Sequence, residues 1–242
     1  MQLKIYKNYQ SLSAHISDEM IALIKHKPNA VICCASGDTP RLTCQLFAEK
    51  ATTQKIDTSK FTFIGLDEWV GIPSDNEGSC RYFFDSLVIK PLQLATSQFH
   101  FFNALSNDVV AECKTMDKFI TDKGGIDLMI VGIGMNGHIG FNEPGVSFDN
   151  YSHFIQLDAT TITVGQKYFK DNVSLDKGIT IGLQHLVESK EVILIANGLK
   201  KAAVIKTAVE GGLSNSFPAT IIQKHPTGVV AIDEEAASLL SR

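Results

Sequence analysis

Residues 126–145 read IDLMIVGIGMNGHIGFNEPG, and this stretch decides the fold class. Its first part, Ile126–Gly132, is an almost unbroken apolar run of the length typical of a buried strand. The second part is rich in glycine and polar residues, and Pro144 with its neighbouring glycines argues against a helix there. A buried strand that leads into a polar loop is typical of a parallel α/β sheet, which binds ligands beyond the carboxyl ends of its strands.

Short apolar runs of the same kind recur along the chain and alternate with amphipathic segments. We predict strands at Ala30–Ala35, Phe61–Leu66, Gln98–Phe102, Ile126–Gly132, Glu191–Ala196 and Gly228–Ile232. Apolar residues fall on one helical face in Leu12–Ile24, Val109–Ile120 and Ala202–Val209. The alternation predicts an α/β fold: one domain over residues 1–242, with a doubly wound, mostly parallel sheet and helices on both faces, a Rossmann-like arrangement.

Composition and charge exclude several classes of protein. The 242 residues carry a net charge of −4, with 44% hydrophobic and 20% charged residues, which is ordinary for a globular chain. Lysine and arginine are scattered, so we expect no nucleic-acid partner. Because no apolar run has membrane-spanning length and the first residues lack a signal-peptide core, we expect no membrane association and a cytoplasmic location. The sequence is compatible with a homo-oligomer as well as with a monomer.

The cysteines indicate a reducing environment. There are five, an odd number, and none are spaced as C-x-x-C. This pattern predicts reduced thiols, mostly in the core, and does not support a zinc site.

The predicted strand Ala30–Ala35 leads into the sequence SGDTP, residues 36–40. Thr39 fits a helix N-cap and Pro40 a first helical residue, so a helix should begin here. A helix N-terminus offers free N–H groups and partial positive charge to a phosphate, and Gly37 would let the backbone approach it closely. A capped turn without a ligand fits equally well. A P-loop does not fit, because no Gly-Lys-Ser/Thr follows.

Adjacent acids, Asp67 and Glu68, follow the predicted strand Phe61–Leu66 and begin a second loop. A carboxylate at this place can act as a general base, although a solvated turn would carry the same residues. Trp69, the only tryptophan, is expected to pack this loop against the protein.

The third loop combines Asn136, His138, Asn142 and Glu143 within eight residues. Histidine titrates near neutral pH, and a nearby carboxylate can orient it and raise its basicity, so the group suits proton transfer. A hydrogen-bonded turn with an exposed histidine is the alternative. The loop also matches G-x-G-x-x-G from Gly132 onward, but no helix can start within it, which argues against dinucleotide binding.

Three stretches together resemble the glucosamine/galactosamine-6-phosphate isomerase (deaminase) family. They are LDEWV at residues 66–70, GIGMNGHIGFNEP at residues 132–144 and GLKKA at residues 198–202. The resemblance runs from about residue 30 to about residue 233, and NGHIGFNEP is its most specific part. The 6-phosphogluconolactonases, which share the fold, typically carry Asp-Gly-His and then lack Asn-Glu-Pro.

The resemblance implies an enzyme that needs no metal or organic cofactor and acts on a small sugar phosphate. It implies that Asp67 moves a proton from C2 to C1 of the open-chain sugar, that His138 opens the ring, and that Glu143 orients and charges this histidine. Asn136 lies where family members carry Asp or Asn and is included among the catalytic residues. Substrate and phosphate contacts are implied for Ser36, Gly37, Asp38, Thr39, Gly134, Gly137 and Lys201, with Lys200 as the alternative to Lys201.

One departure from the family pattern concerns phosphate. Many glucosamine-6-phosphate deaminases carry an arginine in an Arg-Phe-Phe segment of the lid, whereas this chain has QKYF at residues 166–169. Lys167 would replace that arginine without its bidentate fork.

The substrate prediction follows from segments that are closer to the galactosamine branch of the family. These are Asn29–Cys33, Lys123–Leu128, Ile155–Ala159 and Gly178–Leu183. We therefore predict conversion of galactosamine 6-phosphate to tagatose 6-phosphate and ammonia. The alternatives are conversion of glucosamine 6-phosphate to fructose 6-phosphate and ammonia, a 6-phosphogluconolactonase, and a sugar-phosphate sensor without turnover.

Overall fold

The computed structural model describes residues 1–241, and its centre is a sheet of seven strands that all pair in parallel. In sheet order the strands are β1 (Gln2–Tyr6), β10 (Val229–Asp233), β9 (Glu191–Ala196), β6 (Leu128–Val131), β2 (Val31–Cys34), β3 (Thr62–Gly65) and β5 (Phe99–His100). The most buried strands lie in the middle of the sheet and are almost purely apolar, as expected where both faces are covered.

A second, smaller sheet contains three antiparallel strands beside the carboxyl ends of the large one. In sheet order these are β4 (Asp67–Trp69), β8 (Lys177–Thr180) and β7 (His153–Gln156). The prediction that Asp67 begins a loop is therefore wrong, since Asp67 pairs with Thr180. Local sequence could not reveal a strand whose hydrogen-bonding partner lies so far along the chain.

Helices cover both faces of the large sheet, which confirms the predicted doubly wound α/β architecture. One face carries α1 (Tyr9–His26), α2 (Asp38–Thr53) and α3 (Cys80–Phe84), and the other carries α4 (Val109–Asp122), α6 (Leu183–Glu188) and α7 (Ala202–Glu210). A short helix, α5 (Ala159–Gly165), lies beside the small sheet. Short 3₁₀ helices occur at Thr96–Gln98, Gln166–Tyr168, Leu199–Lys201 and Pro218–Lys224, and a short π-helix occurs at Asp85–Ile89.

The alternation of side chains along each strand divides the core into two layers. In β2, Val31 and Cys33 join the layer under α4, α6 and α7, whereas Ile32 and Cys34 join the layer under α1 and α2. All five cysteines are buried and unpaired. Within residues 1–241, no helix is long and apolar enough to cross a membrane.

All six predicted strands are present, but Gln98–Phe102 shrinks to Phe99–His100 at the sheet edge. The predicted N-cap at Thr39 is wrong: α2 begins at Asp38 with Gly37 in the N-cap position. Gly37 has a φ of 113°, a backbone conformation that favours glycine. The helix N-cap therefore lies two residues earlier than the Thr39-Pro40 pattern indicated.

Candidate active site

A pocket lies at the carboxyl ends of the central strands, where the three polar segments singled out from the sequence meet. Eight of the predicted site residues line it: Ser36, Gly37, Asp38, Thr39, Asp67, Gly134, His138 and Lys201. Three others, Asn136, Gly137 and Glu143, are not part of the pocket wall. The convergence of the loops follows from the parallel sheet, because the carboxyl ends of its strands share one edge.

Asp67 enters the pocket from β4 and is almost fully buried, with 8% of its surface exposed. Its Oδ1 atom is buried and has no hydrogen-bond partner among residues 1–241. Burial, and then repulsion from the Glu68 carboxylate, raises the pKa of Asp67 from 3.8 to about 7. A carboxylate with this pKa and a free oxygen can take up and return a proton near neutral pH.

Glu68 is buried beside Asp67, but its carboxylate is fully engaged. It accepts hydrogen bonds from the backbone N–H groups of Trp69 at 2.9 Å, Cys80 at 2.9 Å and Arg81 at 2.8 Å. The last two belong to the first turn of α3, so Glu68 ties β4 to the start of that helix. This arrangement leaves Asp67 as the acid of the pair that faces the pocket.

His138 lies against the backbone of the loop that follows β6. A Cβ atom on Gly134 would lie 2.4 Å from the imidazole, so only glycine allows the ring to pack there. The Nδ1 atom of His138 lies 3.0 Å from Thr161 Oγ1 and 3.5 Å from Glu143 Oε2. Its Nε2 atom makes no hydrogen bond within residues 1–241, which leaves that nitrogen for a ligand in the pocket.

Glu143 lies behind His138, out of solvent. Asn136 donates its Nδ2–H to Glu143 Oε2 at 2.9 Å, and the N–H of Asp158 reaches Oε1 at 3.4 Å. Burial alone would raise the pKa of Glu143, but contacts with His138, Thr161 and Asn136 outweigh burial and hold that pKa below its usual value. The carboxylate is therefore ionised at neutral pH and can stabilise a positive charge on the imidazole.

Asn142 and Gly137, in the same loop, have structural roles. Asn142 is buried and donates its Nδ2–H groups to the carbonyls of Ile139 and Ile181, which fastens the loop to the chain after β8. Gly137 has a φ of 84° and packs against the Phe217 ring, so both its conformation and its lack of a side chain are required. Neither position needs a ligand to explain its residue type.

The opposite end of the pocket carries the positive charge. The N-terminus of α2 opens into it at Gly37, and Lys201 reaches it with Nζ donating to the carbonyl of Ile133 at 2.5 Å. Burial, followed by the proximity of Lys167, lowers the pKa of Lys201. Lys167 forms an ion pair with Asp38 at 2.6 Å. A helix N-terminus and two lysine ammonium groups thus lie at one end of the pocket, an arrangement that can attract an anion.

Sequence reasoning did not identify Cys80 and Thr161, although both line the pocket. The Cys80 thiol accepts a hydrogen bond from Ser36 Oγ at 3.0 Å and lies beside Asp67. Neither residue carries a local pattern that indicates a site, because each reaches the pocket only through the packing of its helix. Within residues 1–241, no three His, Cys, Asp or Glu side chains are grouped so as to hold a metal ion.

The chain matches one known protein family over most of its length. The family model described as glucosamine-6-phosphate isomerases/6-phosphogluconolactonase matches residues 7–231. The chain belongs to this family. The resemblance drawn from LDEWV and NGHIGFNEP is thereby confirmed at the level of the family. Both activities in the family's description are enzymatic and act on sugar phosphates, so the prediction of an enzyme is confirmed as well.

Relatives of this family member span almost its whole length. The glucosamine-6-phosphate deaminase of Thermoanaerobacter pseudethanolicus is 35% identical, over 99% of this chain and 95% of its own. That of Lachnoclostridium phytofermentans is 39% identical, over 90% and 93%.

Solved structures in the family show the same fold. A monomeric glucosamine-6-phosphate deaminase superimposes with a TM-score of 0.95 at 32% identity, covering 99% of this chain and all of the other. A 6-phosphogluconolactonase from Trypanosoma brucei gives a TM-score of 0.79 at 15% identity, covering 99% of this chain and 98% of the other. At that identity the likeness concerns the fold alone.

Proposed function

We propose that the protein converts a hexosamine 6-phosphate into a ketose 6-phosphate and ammonia. The observation that carries this proposal is the Asp67 carboxylate, which is buried and has a free oxygen. It shares one pocket with His138 and with the positively charged end formed by the α2 N-terminus and Lys201. A base with a pKa of about 7 suits repeated uptake and return of a proton in a single turnover.

Substrate binding is assigned to the two ends of the pocket. The phosphate lies at the N-terminus of α2, near Gly37 and Thr39, with Lys201 supplying the charge. Lys201 is the better candidate than Lys200, because Lys201 lines the pocket and Lys200 is exposed outside it. The sugar then extends toward His138 and Asp67.

Ring opening is the task of His138. Its free Nε2 takes the proton of the anomeric hydroxyl and delivers a proton to the ring oxygen, which breaks the C1–O5 bond and gives the open-chain aldehyde. Glu143 stabilises the imidazolium that forms between these two transfers, and Asn136 holds Glu143 in place.

Isomerisation and loss of ammonia follow on the open chain. Asp67 takes the C2 proton, which yields an enolamine once O1 takes up a proton from solvent, and returns it to C1, which yields a C2 imine as the nitrogen releases a proton to solvent. Water adds to the imine, and the carbinolamine releases ammonia to leave the C2 ketone. One carboxylate can serve both carbons, because they are adjacent and the Asp67 oxygen is not held by another group.

For the substrate we propose galactosamine 6-phosphate, with tagatose 6-phosphate and ammonia as products. The support is the likeness of segments such as Ile155–Ala159 and Gly178–Leu183 to the galactosamine branch. The second candidate is glucosamine 6-phosphate, converted to fructose 6-phosphate, and the observation that favours it is the name carried by the relatives at 35–39% identity. The two substrates differ only in the configuration of C4.

The deciding experiment measures ammonia release from the two hexosamine 6-phosphates side by side, with 6-phosphogluconolactone hydrolysis measured in parallel. We expect release from both epimers, with the higher kcat/KM for galactosamine 6-phosphate. A higher value for glucosamine 6-phosphate would reverse the substrate assignment. Hydrolysis of the lactone without ammonia release would indicate a lactonase. Binding seen by thermal shift without any turnover would indicate a sensor.

A further inference from the structure

The contact between His138 and Glu143 is longer than a direct hydrogen bond usually is. Nδ1 of His138 lies 3.5 Å from Glu143 Oε2, beyond the 2.7–3.2 Å of ordinary N–H···O hydrogen bonds. The hydroxyl of Thr161 lies closer, 3.0 Å from the same nitrogen. Thr161 also contributes to lowering the pKa of Glu143, so its hydroxyl acts on the carboxylate as well as on the imidazole.

We propose that Thr161 is a positioning residue that bridges His138 and Glu143 and so selects the histidine tautomer. In this arrangement Nδ1–H donates to Thr161 Oγ1, and the hydroxyl proton of Thr161 donates to Glu143. The lone pair of Nε2 is then presented to the pocket. The inference rests on the proposed function, because it specifies how the ring-opening histidine is prepared for its first proton transfer.

The second carboxylate oxygen of Glu143 shows that the start of α5 is held at the same place. The N–H of Asp158, the N-cap residue of α5, reaches Glu143 Oε1 at 3.4 Å. Asp158 Oδ1 in turn accepts from the N–H of Thr160 at 2.8 Å, which closes the first turn of the helix. Glu143 therefore contacts the start of α5 through the backbone of Asp158, and His138 contacts the same helix through Thr161.

The far end of α5 is fixed against the small sheet. A Cβ atom on Gly165 would lie 2.5 Å from the Trp69 ring, so helix and indole are in close contact. The helix and the turn after it, residues 159–168, supply Thr160, Val164, Lys167 and Tyr168 to the pocket wall. Because the same segment carries Thr161, the pocket wall and the tautomer of His138 are set together.

The variants that test this separate the hydroxyl from the shape of the side chain. Thr161→Val keeps the branched shape and removes the hydroxyl, whereas Thr161→Ser keeps the hydroxyl. Thr163→Val is the matched control, because Thr163 lies on the same helix, is exposed, and bonds only to the Ala159 carbonyl. We expect Thr161→Val to lower kcat about tenfold, the factor that about 1.4 kcal/mol represents, with KM unchanged. Serine and the control should stay near wild type.

Two readouts distinguish positioning from a structural role. The first is exchange of the C2 proton on a phosphorylated analogue that cannot form a ring, which Thr161→Val should catalyse at the wild-type rate. The second is the ¹⁵N spectrum of the His138 imidazole, which should show the Nδ1–H tautomer in wild type and a mixture in Thr161→Val. Equal impairment of Ser and Val, equal loss with the acyclic analogue, or an unchanged ¹⁵N spectrum would each overturn the proposal.

Failure of the proposed function would look different. If the wild-type protein releases no ammonia from any hexosamine 6-phosphate, the activity assignment fails for all variants at once. The ¹⁵N spectra of wild type and Thr161→Val do not depend on turnover, so they still decide whether Thr161 selects the tautomer of His138.

Discussion

At Asp67, the requirements of proton transfer and of folded-state stability oppose each other. Its free oxygen and raised pKa suit proton transfer, but a buried carboxylate whose Oδ1 has no hydrogen-bond partner destabilises the folded state once it ionises. Glu68 adds to this cost, since its own carboxylate is held in place by three backbone N–H groups and cannot move away. The features that suit Asp67 to proton transfer therefore lower the stability of the folded state above its pKa.

The first prediction concerns Asp67→Asn. We expect the variant to lose C2-proton exchange by roughly 10²–10⁴-fold, since an amide cannot take the proton. It should also be more stable than wild type at high pH. The folded-state pKa of about 7 lies above the ordinary 3.8, so the contribution of Asp67 to stability is full below about pH 4 and is lost as pH rises through 7.

The measurement is urea unfolding of wild type and Asp67→Asn at pH 4, 6 and 8.5. The shift from 3.8 to about 7 corresponds to a gain of up to about 4 kcal/mol for the variant at pH 8.5, and the gain should shrink toward pH 4. Asp75→Asn serves as control, because Asp75 is exposed. A stability difference that does not depend on pH would contradict the assigned protonation of Asp67.

Among the elements, the segment of residues 159–168 reaches both ends of the pocket. Its helix α5 contacts His138 through Thr161, and its last turn contacts the start of α2 through the ion pair of Lys167 with Asp38. Tyr168 lies against Gly37, where an added Cβ atom would approach the phenol oxygen to 3.2 Å. The segment therefore spans the pocket from the histidine to the positively charged end.

The second prediction is that Lys167→Ala raises KM for the phosphorylated substrate several-fold and leaves thermal stability nearly unchanged. The ion pair with Asp38 is exposed, and exposed pairs contribute about 0–1 kcal/mol to folding, whereas a cation beside the bound phosphate acts directly on binding. Steady-state kinetics and a thermal melt measure the two effects.

Lys170→Ala is the matched control for this substitution. Lys170 also forms an exposed ion pair, with Glu77 at 2.8 Å, but it is not part of the pocket wall. It should behave as wild type in both measurements. Equal KM values for the two variants would remove Lys167 from the phosphate site.

At the scale of the whole molecule, the carboxyl and amino ends of the strands in the large sheet carry different groups of residues. The carboxyl ends of the strands carry the pocket, and the amino ends carry the buried carboxylate of Asp127 with two lysines that reach it from the surface. Asp127 accepts from Lys27 Nζ at 2.7 Å, Lys190 Nζ at 2.5 Å and the N–H of Val31 at 2.8 Å. One carboxylate thus joins α1, β2, β6 and β9 at the end remote from the chemistry.

The third prediction is that Asp127→Asn lowers the free energy of unfolding by roughly 1–3 kcal/mol at pH 7 and leaves kcat unchanged. Burial works against the charge of Asp127, but the two lysines and the Val31 N–H outweigh burial and lower its pKa. A carboxyl group with a lowered pKa stabilises the folded state at pH values above its pKa in the unfolded chain. This contribution is lost as pH falls through the folded-state pKa, so the stabilities of wild type and variant should converge in acid.

Urea unfolding at pH 7 and pH 3 measures this convergence, with ammonia release as the check on activity. Asp122→Asn is the control, because the Lys118–Asp122 pair is exposed and separate from the sheet. A loss of kcat in folded Asp127→Asn would show that the two ends of the sheet are coupled.

The sequence by itself determined six of the seven strands of the large sheet and the place of the candidate site. Six apolar runs became six parallel strands, because a buried strand in such a sheet has to be apolar on both faces and so is visible locally. The three polar segments that follow β2, β3 and β6 meet in one pocket, because the carboxyl ends of parallel strands lie on the same side of the sheet. The family followed from LDEWV and NGHIGFNEP, whose residue types the chemistry restricts.

Only the tertiary structure decided what depends on partners distant in the chain. Strand β1 is largely exposed at the sheet edge, and β4 exists because Asp67 pairs with Thr180, so neither has the apolar run that marks a strand. The contact of Thr161 with His138 joins residues 23 positions apart on a helix and a loop. The pKa of Asp67 follows from burial, which no local pattern records, because burial is a property of everything packed around a side chain.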